Sequence, residues 1–79
     1  MDYPTRQAII HNYVEPLIAN KAAKVSECLG SIVIEDDWKT MSQDRLVDSL
    51  SQELGSKGYE VDVYREGDTV IIDDREVED

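Results

Sequence analysis

Residues 59–74 have the sequence YEVDVYREGDTVIIDD, and this pattern predicts the structure of the C-terminal half of the chain. From Tyr59 to Arg65, apolar and polar residues alternate strictly, which is typical of a β-strand with one buried face. Glu66-Gly67-Asp68 predicts a turn, and the β-branched residues after it predict a return strand. The stretch therefore predicts a β-hairpin.

The register of this hairpin is predicted by matching apolar residues across its two strands. A short loop centred on Glu66-Gly67 places Val63 opposite Val70. The same register places Val61 opposite Ile72. One face then packs inward and the other faces solvent. The solvent-facing residues of the hairpin are predicted to be Glu60, Asp62, Tyr64, Thr69, Ile71 and Asp73.

Upstream of the hairpin, the sequence predicts a strand and a helix. Residues 31–35 (SIVIE) are rich in β-branched side chains and predict a short strand. Thr40 and Gln43 have the spacing of a capping box, so the helix is expected to begin there, and Gly55 is expected to end it. The buried stripe of this helix is predicted to be Leu46, Val47, Leu50 and Leu54.

The N-terminal segment is predicted to be one long helix from about residue 4 to residue 29. Asp2 is placed to cap its start, and Gly30 supplies a C-terminal stop. Pro16 lies in the interior and must kink or split a helix, so a break is expected near residues 13–16.

Together these elements predict an α+β fold in the order α-β-α-β-β. A long kinked N-terminal helix and a second helix pack on one face of a small three-stranded sheet, which ends in the acidic hairpin. Residues 1–75 are expected to form a single domain, and residues 76–79 a flexible acidic tail.

The predicted N-terminal helix has an apolar face wider than packing on one sheet requires. A second copy of the chain would cover the excess, which predicts a homodimer. Alternatively, the kink at Pro16 rotates the two halves and gives each a narrower stripe. A small core usually needs additional stabilisation from disulfides, a metal or oligomerisation. One cysteine allows no intrachain disulfide, so oligomerisation is favoured. The residues expected at the dimer interface are Ile9, Tyr13, Ile18 and Ala22.

Acidic residues outnumber basic ones by 18 to 8, which gives a net charge of −10. Residues 1–30 are neutral overall, whereas residues 59–79 carry nine acids and two bases. Nucleic acid and anionic lipid repel such a chain, so the favoured partner is a basic protein. We expect a cytoplasmic protein, because the sequence contains neither an apolar run of membrane-spanning length nor a secretory signal.

The residue types of common active sites are scarce. His11 is predicted to lie at the surface, and Cys28 is predicted to be a small core residue on the helix stripe. The acid pairs Asp36-Asp37 and Asp73-Asp74 lack the spaced ligands and the glycine of a calcium loop. The sequence therefore predicts neither an enzyme nor a cofactor or metal site.

The outward face of the hairpin concentrates negative charge. Residues two apart on a strand are about 6.6–6.8 Å apart, and neighbouring phosphates along a DNA strand are separated by roughly 6–7 Å. Glu60 and Asp62 therefore match consecutive phosphates in spacing, and Tyr64 is placed to stack on an arginine. The expected partner-binding residues are Glu35, Asp36, Asp37, Glu60, Asp62, Tyr64, Glu66, Asp68, Asp73 and Asp74.

In size, charge and layout, the whole chain resembles the small acidic proteins that lytic phages make early in infection to disable host machinery. Several of those proteins imitate DNA, and the group includes an inhibitor of the nucleoid protein HU from a Bacillus phage. The resemblance implies an inhibitor that acts in the bacterial cytoplasm and occupies the DNA-binding surface of a basic host protein. It contains no matched motif, so no site residue is carried over from that group.

The alternative is a small adaptor or assembly module. In this interpretation the first helix and Trp38 form the interface, and the acidic residues serve solubility. Trp38 is then an aromatic anchor beside the acids at residues 35–37, whereas a purely structural Trp38 would be a lid over the core. Charge reversal of Glu60 and Asp62 separates the two functions, because only the DNA mimic would lose its partner.

Overall fold

The computed structural model describes residues 1–75, and the predicted tail at residues 76–79 lies outside the described residues. Within residues 1–75 the chain forms two helices and four strands, which is an α+β fold. Helix α1 spans residues 3–17 in three consecutive segments, of which Tyr3–Ile9 and Glu15–Leu17 are α-helical and Ile10–Val14 is π-helical. The remaining elements are β1 (Lys24–Cys28), β2 (Ser31–Glu35), α2 (Gln43–Ser56), β3 (Val61–Glu66) and β4 (Thr69–Asp74).

Helix α1 begins as the sequence predicts and ends earlier. The Asp2 carboxylate accepts a hydrogen bond from the Thr5 backbone N–H at 3.0 Å, and this bond lowers the pKa of Asp2. The π-helical turn directly precedes Pro16, whose ring and missing N–H disturb the regular helix. At Ile18 the backbone is already extended, with φ −77° and ψ 116°.

The prediction of one helix to residue 29 is wrong, because the chain turns at Asn20 and continues as strand β1. The Asn20 side chain accepts a hydrogen bond from the Ala22 N–H at 3.0 Å, and its carbonyl accepts one from the Ala23 N–H at 3.0 Å. These bonds offer the backbone an alternative to the helix. Leu29-Gly30, with φ of 51° and 82°, then forms the two-residue turn between β1 and β2.

The sheet has four strands in the order β1-β2-β4-β3, all antiparallel, and not the three strands predicted. The hairpin register also differs by two residues, because Val63 pairs with Ile72 and Val61 pairs with Asp74. The cause is the tight turn at Gly67-Asp68, which lies between the terminal pair Glu66 and Thr69. A shift of two residues exchanges no faces, so the predicted inner and outer faces are confirmed.

Both helices pack on one face of the sheet and enclose the core. Helix α2 is capped by Ser42, whose hydroxyl accepts from the Arg45 N–H at 3.2 Å, and not by the predicted Thr40. An ion pair between Arg65 and Asp44, 2.8 Å long, joins β3 to α2. Neither helix in residues 1–75 has the length and apolar content to cross a membrane. The buried core comprises Ile9, Ile10, Val14, Ile32, Ile34, Leu46, Leu50, Leu54, Val61, Val70 and Ile72.

Candidate functional site

The face of the sheet opposite the helices is uncovered within the described residues, and we call it the open face. Strand pairing shows which side chains share it, because directly paired residues point to the same side. Four strands contribute alternate residues. The open face comprises Lys24, Ser26 and Cys28 from β1, Ser31, Val33 and Glu35 from β2, Thr69, Ile71 and Asp73 from β4, and Asp62, Tyr64 and Glu66 from β3.

The open face is organised as three rows that run across the strands. The aspartate row contains Asp62 and Asp73, which pair directly. The apolar row contains Val33 on β2, Ile71 on β4 and Tyr64 on β3, and Ile71 pairs directly with each of the other two. The glutamate row contains Glu35 and Glu66, each paired with Thr69 between them.

The dimensions of these rows follow from strand geometry. Successive residues on one face of a strand are about 6.6–6.8 Å apart, so each acidic row lies that far from the apolar row. The two acidic rows are therefore about 13 Å apart. Lys24, opposite Glu35, is the one Lys or Arg among the β-strand residues of the open face. The face as a whole is thus acidic at both borders and apolar along its middle.

The aspartate row is held in place by hydrogen bonds. Asp73 accepts from the Ser31 hydroxyl at 2.8 Å and from the Asp74 N–H at 2.9 Å. Asp62 lies 3.4 Å from the Arg75 guanidinium, which partly offsets its charge. The Arg75 N–H also donates to the Glu60 carbonyl at 3.2 Å, which extends the ladder beyond β3 and keeps Glu60 beside Asp62 on the same face.

Tyr64 lies in the apolar row between the two acidic rows. Its pKa is raised above 10.0, first because the phenol is partly removed from water and then because Asp73, Glu66 and Asp62 carry negative charge. The side chain is 39% exposed. At neutral pH it therefore presents an aromatic surface and a hydroxyl that can donate a hydrogen bond.

The turn that carries Asp68 is fixed from outside the hairpin. The Trp38 indole N–H donates to the Asp68 carbonyl, and the Gln43 side-chain amide donates to the carbonyls of Gly67 and Thr69 at 3.0 Å each. Trp38 is half-buried, packs against the core and has a φ of 60°. Trp38 therefore covers part of the core and also fixes the acidic turn through its hydrogen bond to Asp68.

Three of the predicted partner-binding acids lie away from the open face. Asp36 accepts from the Asn20 side-chain amide and from the Asp37 N–H, both at 2.7 Å. Asp37 in turn accepts from the Lys39 N–H at 3.0 Å, so both carboxylates shape the loop after β2. Asp74 pairs with Val61 on the helix side and contacts the Met1 ammonium group.

The residues predicted at a dimer interface are also dispersed. Ile9 is fully buried in the core of its own chain, which removes it from such an interface. Tyr13 packs edge-to-face on Tyr59, with ring centroids 5.8 Å apart, while Ile18 is half-buried and Ala22 lies exposed in a loop. The wide helical face that predicted the homodimer does not exist, because Ala22 and the residues after it are not helical. The homodimer stays a prediction without that support.

Two residues considered for catalysis are exposed. His11 lies 3.2 Å from the Gln7 side chain and 3.3 Å from the Glu15 carboxylate, on the surface of α1. Cys28 is exposed on the open face, so its predicted place in the core is wrong. Within residues 1–75, no three His, Cys, Asp or Glu side chains are grouped as they would be to hold a metal ion.

Sequence reasoning identified only Glu35 among the residues that β1 and β2 contribute to the open face. It assigned no face to the strand at residues 31–35 and so missed Val33 and Ser31, the hydrogen-bond donor to Asp73. It also missed a groove of about 520 Å³ between the end of α1 and the start of α2, lined by Leu17, Met41 and Arg45 among others. No protein-family model matches the chain, and neither the curated proteins nor the solved structures contain a match.

Proposed function

We propose that the chain is a DNA-mimic inhibitor that binds the basic DNA-binding surface of another protein and blocks access of DNA to it. The observation that carries this proposal is the open face, to which three neighbouring strands contribute Glu35, Asp62, Glu66 and Asp73. Such a face repels nucleic acid and attracts a protein surface built to hold phosphates.

The placement of the acids supports this function better than a solubilising role. Like charges directly opposite each other on a sheet are destabilising, and Asp62 is opposite Asp73. A small domain has little stability to lose. The hydrogen bonds to Asp73, and those that Trp38 and Gln43 donate to backbone carbonyls of the turn, hold Asp73 and the acidic turn in fixed positions that a partner can recognise.

The adaptor alternative has less support from the residues first proposed for it. Ile9, Ile10 and Val14 of α1 are buried within the chain, and Trp38 packs on the core and bonds to Asp68. To bind a partner, these side chains would have to give up their contacts within the chain, which disfavours them as an interface.

The test measures binding of the whole chain to purified HU and displacement of labelled duplex DNA from HU by fluorescence anisotropy. We expect displacement, and a direct affinity for HU that falls steeply as salt rises, because exposed charges are screened within about 8–10 Å. A helix-turn-helix repressor serves as a second basic target, since the resemblance does not fix which DNA-binding protein is bound.

Two double variants with the same change of net charge sharpen the test. Glu60→Lys with Glu66→Lys alters the open face, whereas Asp48→Lys with Glu53→Lys alters exposed positions on α2. We expect the first pair to weaken binding at least about tenfold and the second only a few-fold, through the general field. Equal losses, or a salt-independent affinity for both targets, would contradict DNA mimicry by this face.

A further inference from the structure

The open face has an apolar centre that charge mimicry alone does not require. Val33 and Ile71 are half-buried by their neighbours in the sheet, Tyr64 is 39% exposed, and no described element packs over them. The uncovered face of an antiparallel sheet usually carries polar side chains. An apolar row bordered by charge is the arrangement of a protein interface, with a dehydrated centre and a polar rim.

The borders define what can lie on this row. Asp62 and Asp73 flank it on one side, and Glu35 and Glu66 flank it on the other. Lys24 opposite Glu35 and Arg75 beside Asp62 reduce the charge of each border but leave both borders net negative. Each border is about 6.6–6.8 Å from the apolar row, so an occupant needs an apolar stripe with positive charge on both sides at that distance. Lipid headgroups and nucleic acid are excluded by the sign of the charge.

We infer that the apolar row and its two acidic borders are a docking surface for a basic amphipathic α-helix of the partner protein. The inference rests on the proposed function, because it assigns the secondary structure and the side-chain pattern of the basic partner at the same face. The apolar stripe of the helix lies along Val33, Ile71 and Tyr64, and Lys or Arg side chains on its two flanks reach the two acidic rows.

The dimensions of a helix fit this surface. An α-helix with its side chains is about 10–12 Å wide, and the acidic rows are about 13 Å apart. The row spans β2, β4 and β3, which is two strand spacings of about 4.8 Å, or about 10 Å, and this is the length of six to seven helical residues. Lys and Arg cover apolar surface with their methylene stems while their charged ends reach outward.

The test uses the whole chain and a synthetic helical peptide of about 14 residues made of Leu and Lys, with Leu at i, i+3, i+4 and i+7 spacing. The comparison peptide has the same length and the same number of lysines, with Ser in place of Leu. We expect the Leu/Lys peptide to bind at least about tenfold more tightly at moderate salt, because burial of leucine is not screened.

Variants of the chain locate the bound peptide. Ile71→Thr keeps a β-branched residue and should weaken binding of the Leu/Lys peptide about fivefold or more, through lost apolar burial. Leu29→Asn, at a fully exposed leucine outside the row, is the control and should leave binding unchanged, because Asn tolerates the φ of 51° at this position. Equal affinity for both peptides, or equal effects of the two variants, would overturn the inference.

The same measurements separate this inference from the proposed function. If the chain displaces DNA from HU and yet does not prefer the Leu/Lys peptide, the docking surface is refuted and DNA mimicry stands. If the peptide binds at the apolar row and DNA is not displaced from either target, the docking surface stands and DNA mimicry fails. Sedimentation of the chain alone tests for a second copy on the same row, and dimerisation abolished by Ile71→Thr would also overturn the inference.

Discussion

Asp62 and Asp73 lie directly opposite each other on β3 and β4, on the face of the sheet that no described helix covers. Side chains at opposed positions have Cβ atoms about 4.5–5.5 Å apart, so the two carboxylates are close neighbours. Ser31 and the Asp74 N–H hydrogen-bond to Asp73, and Arg75 lies beside Asp62. These contacts moderate the repulsion without removing the negative charge from the face.

Replacement of Asp73 by Asn should stabilise the fold and weaken partner binding. Asn removes one of the two facing charges and keeps a side-chain oxygen that can accept from Ser31 and the Asp74 N–H. We expect the free energy of unfolding to rise by about 0.2–1 kcal/mol, more at low salt than at high salt. Urea denaturation at two ionic strengths measures this effect.

Asp48→Asn is the control for the Asp73 variant, because it removes the same charge from an exposed position on α2. It should change stability little. A loss of stability in the Asp73 variant would contradict this explanation. It would mean that the hydrogen bonds to the ionised carboxylate stabilise the fold by more than the repulsion from Asp62 destabilises it.

The sequence predicts the C-terminal half well because its signals are local and agree with each other. Alternation in residues 59–63 indicates a strand, and the face that each residue occupies follows from that alternation alone. The register depends on the turn, and the apolar match of Val63 to Val70 competed with the two-residue turn at Gly67-Asp68. The geometry of the turn determines the register, and Val63 pairs with Ile72.

The N-terminal half was mispredicted because the same residues fit two structures. Val25 and Cys28 have helical spacing, but they lie on opposite faces of strand β1. Gly30 serves equally well as the stop of a helix or as the second residue of a tight turn, since both need a positive φ. The side-chain hydrogen bonds of Asn20 decide between them, and no periodicity in the sequence reports such bonds.

Leu29 is a strained position in the turn between β1 and β2. It has a φ of 51° and is fully exposed, whereas Asn is favoured before Gly in a turn of this kind. Leu29→Asn should raise the free energy of unfolding by about 0.5–1 kcal/mol, because Asn adopts this conformation more readily. Leu29→Ala removes the same apolar surface and keeps the strain, so urea denaturation should show little change. Equal stability of the two variants would contradict the explanation.

Gln43 fixes the acidic turn through two hydrogen bonds to the carbonyls of Gly67 and Thr69. Gln43→Ala should lower the free energy of unfolding by about 1 kcal/mol and speed amide hydrogen exchange in residues 66–69. Gln52→Ala is the matched control, because Gln52 is an exposed glutamine on the same helix. If both variants exchange at the same rate in residues 66–69, Gln43 does not hold the turn.

Tyr64 should report the electrostatic state of the open face. Its pKa in the folded protein lies above 10.0, chiefly because the phenol is partly desolvated and secondarily because Asp73, Glu66 and Asp62 are negative. The folded chain therefore holds the phenol proton more tightly than the unfolded chain. This contribution to stability is constant below pH 10.0 and is lost as the pH rises from there through the raised pKa.

Two variants isolate the ionisation of Tyr64. Tyr64→Phe removes this part of the alkaline loss of stability, so its unfolding free energy should fall less steeply above pH 10.0 than that of the natural chain. Asp73→Asn should lower the pKa of Tyr64 part of the way towards 10.0. It removes the neighbouring carboxylate that raises this pKa most, while the desolvation of the phenol persists. Absorbance titration of the phenols measures the effect of both variants. An unchanged Tyr64 pKa in the Asp73 variant would show that the aspartate row does not act electrostatically on Tyr64.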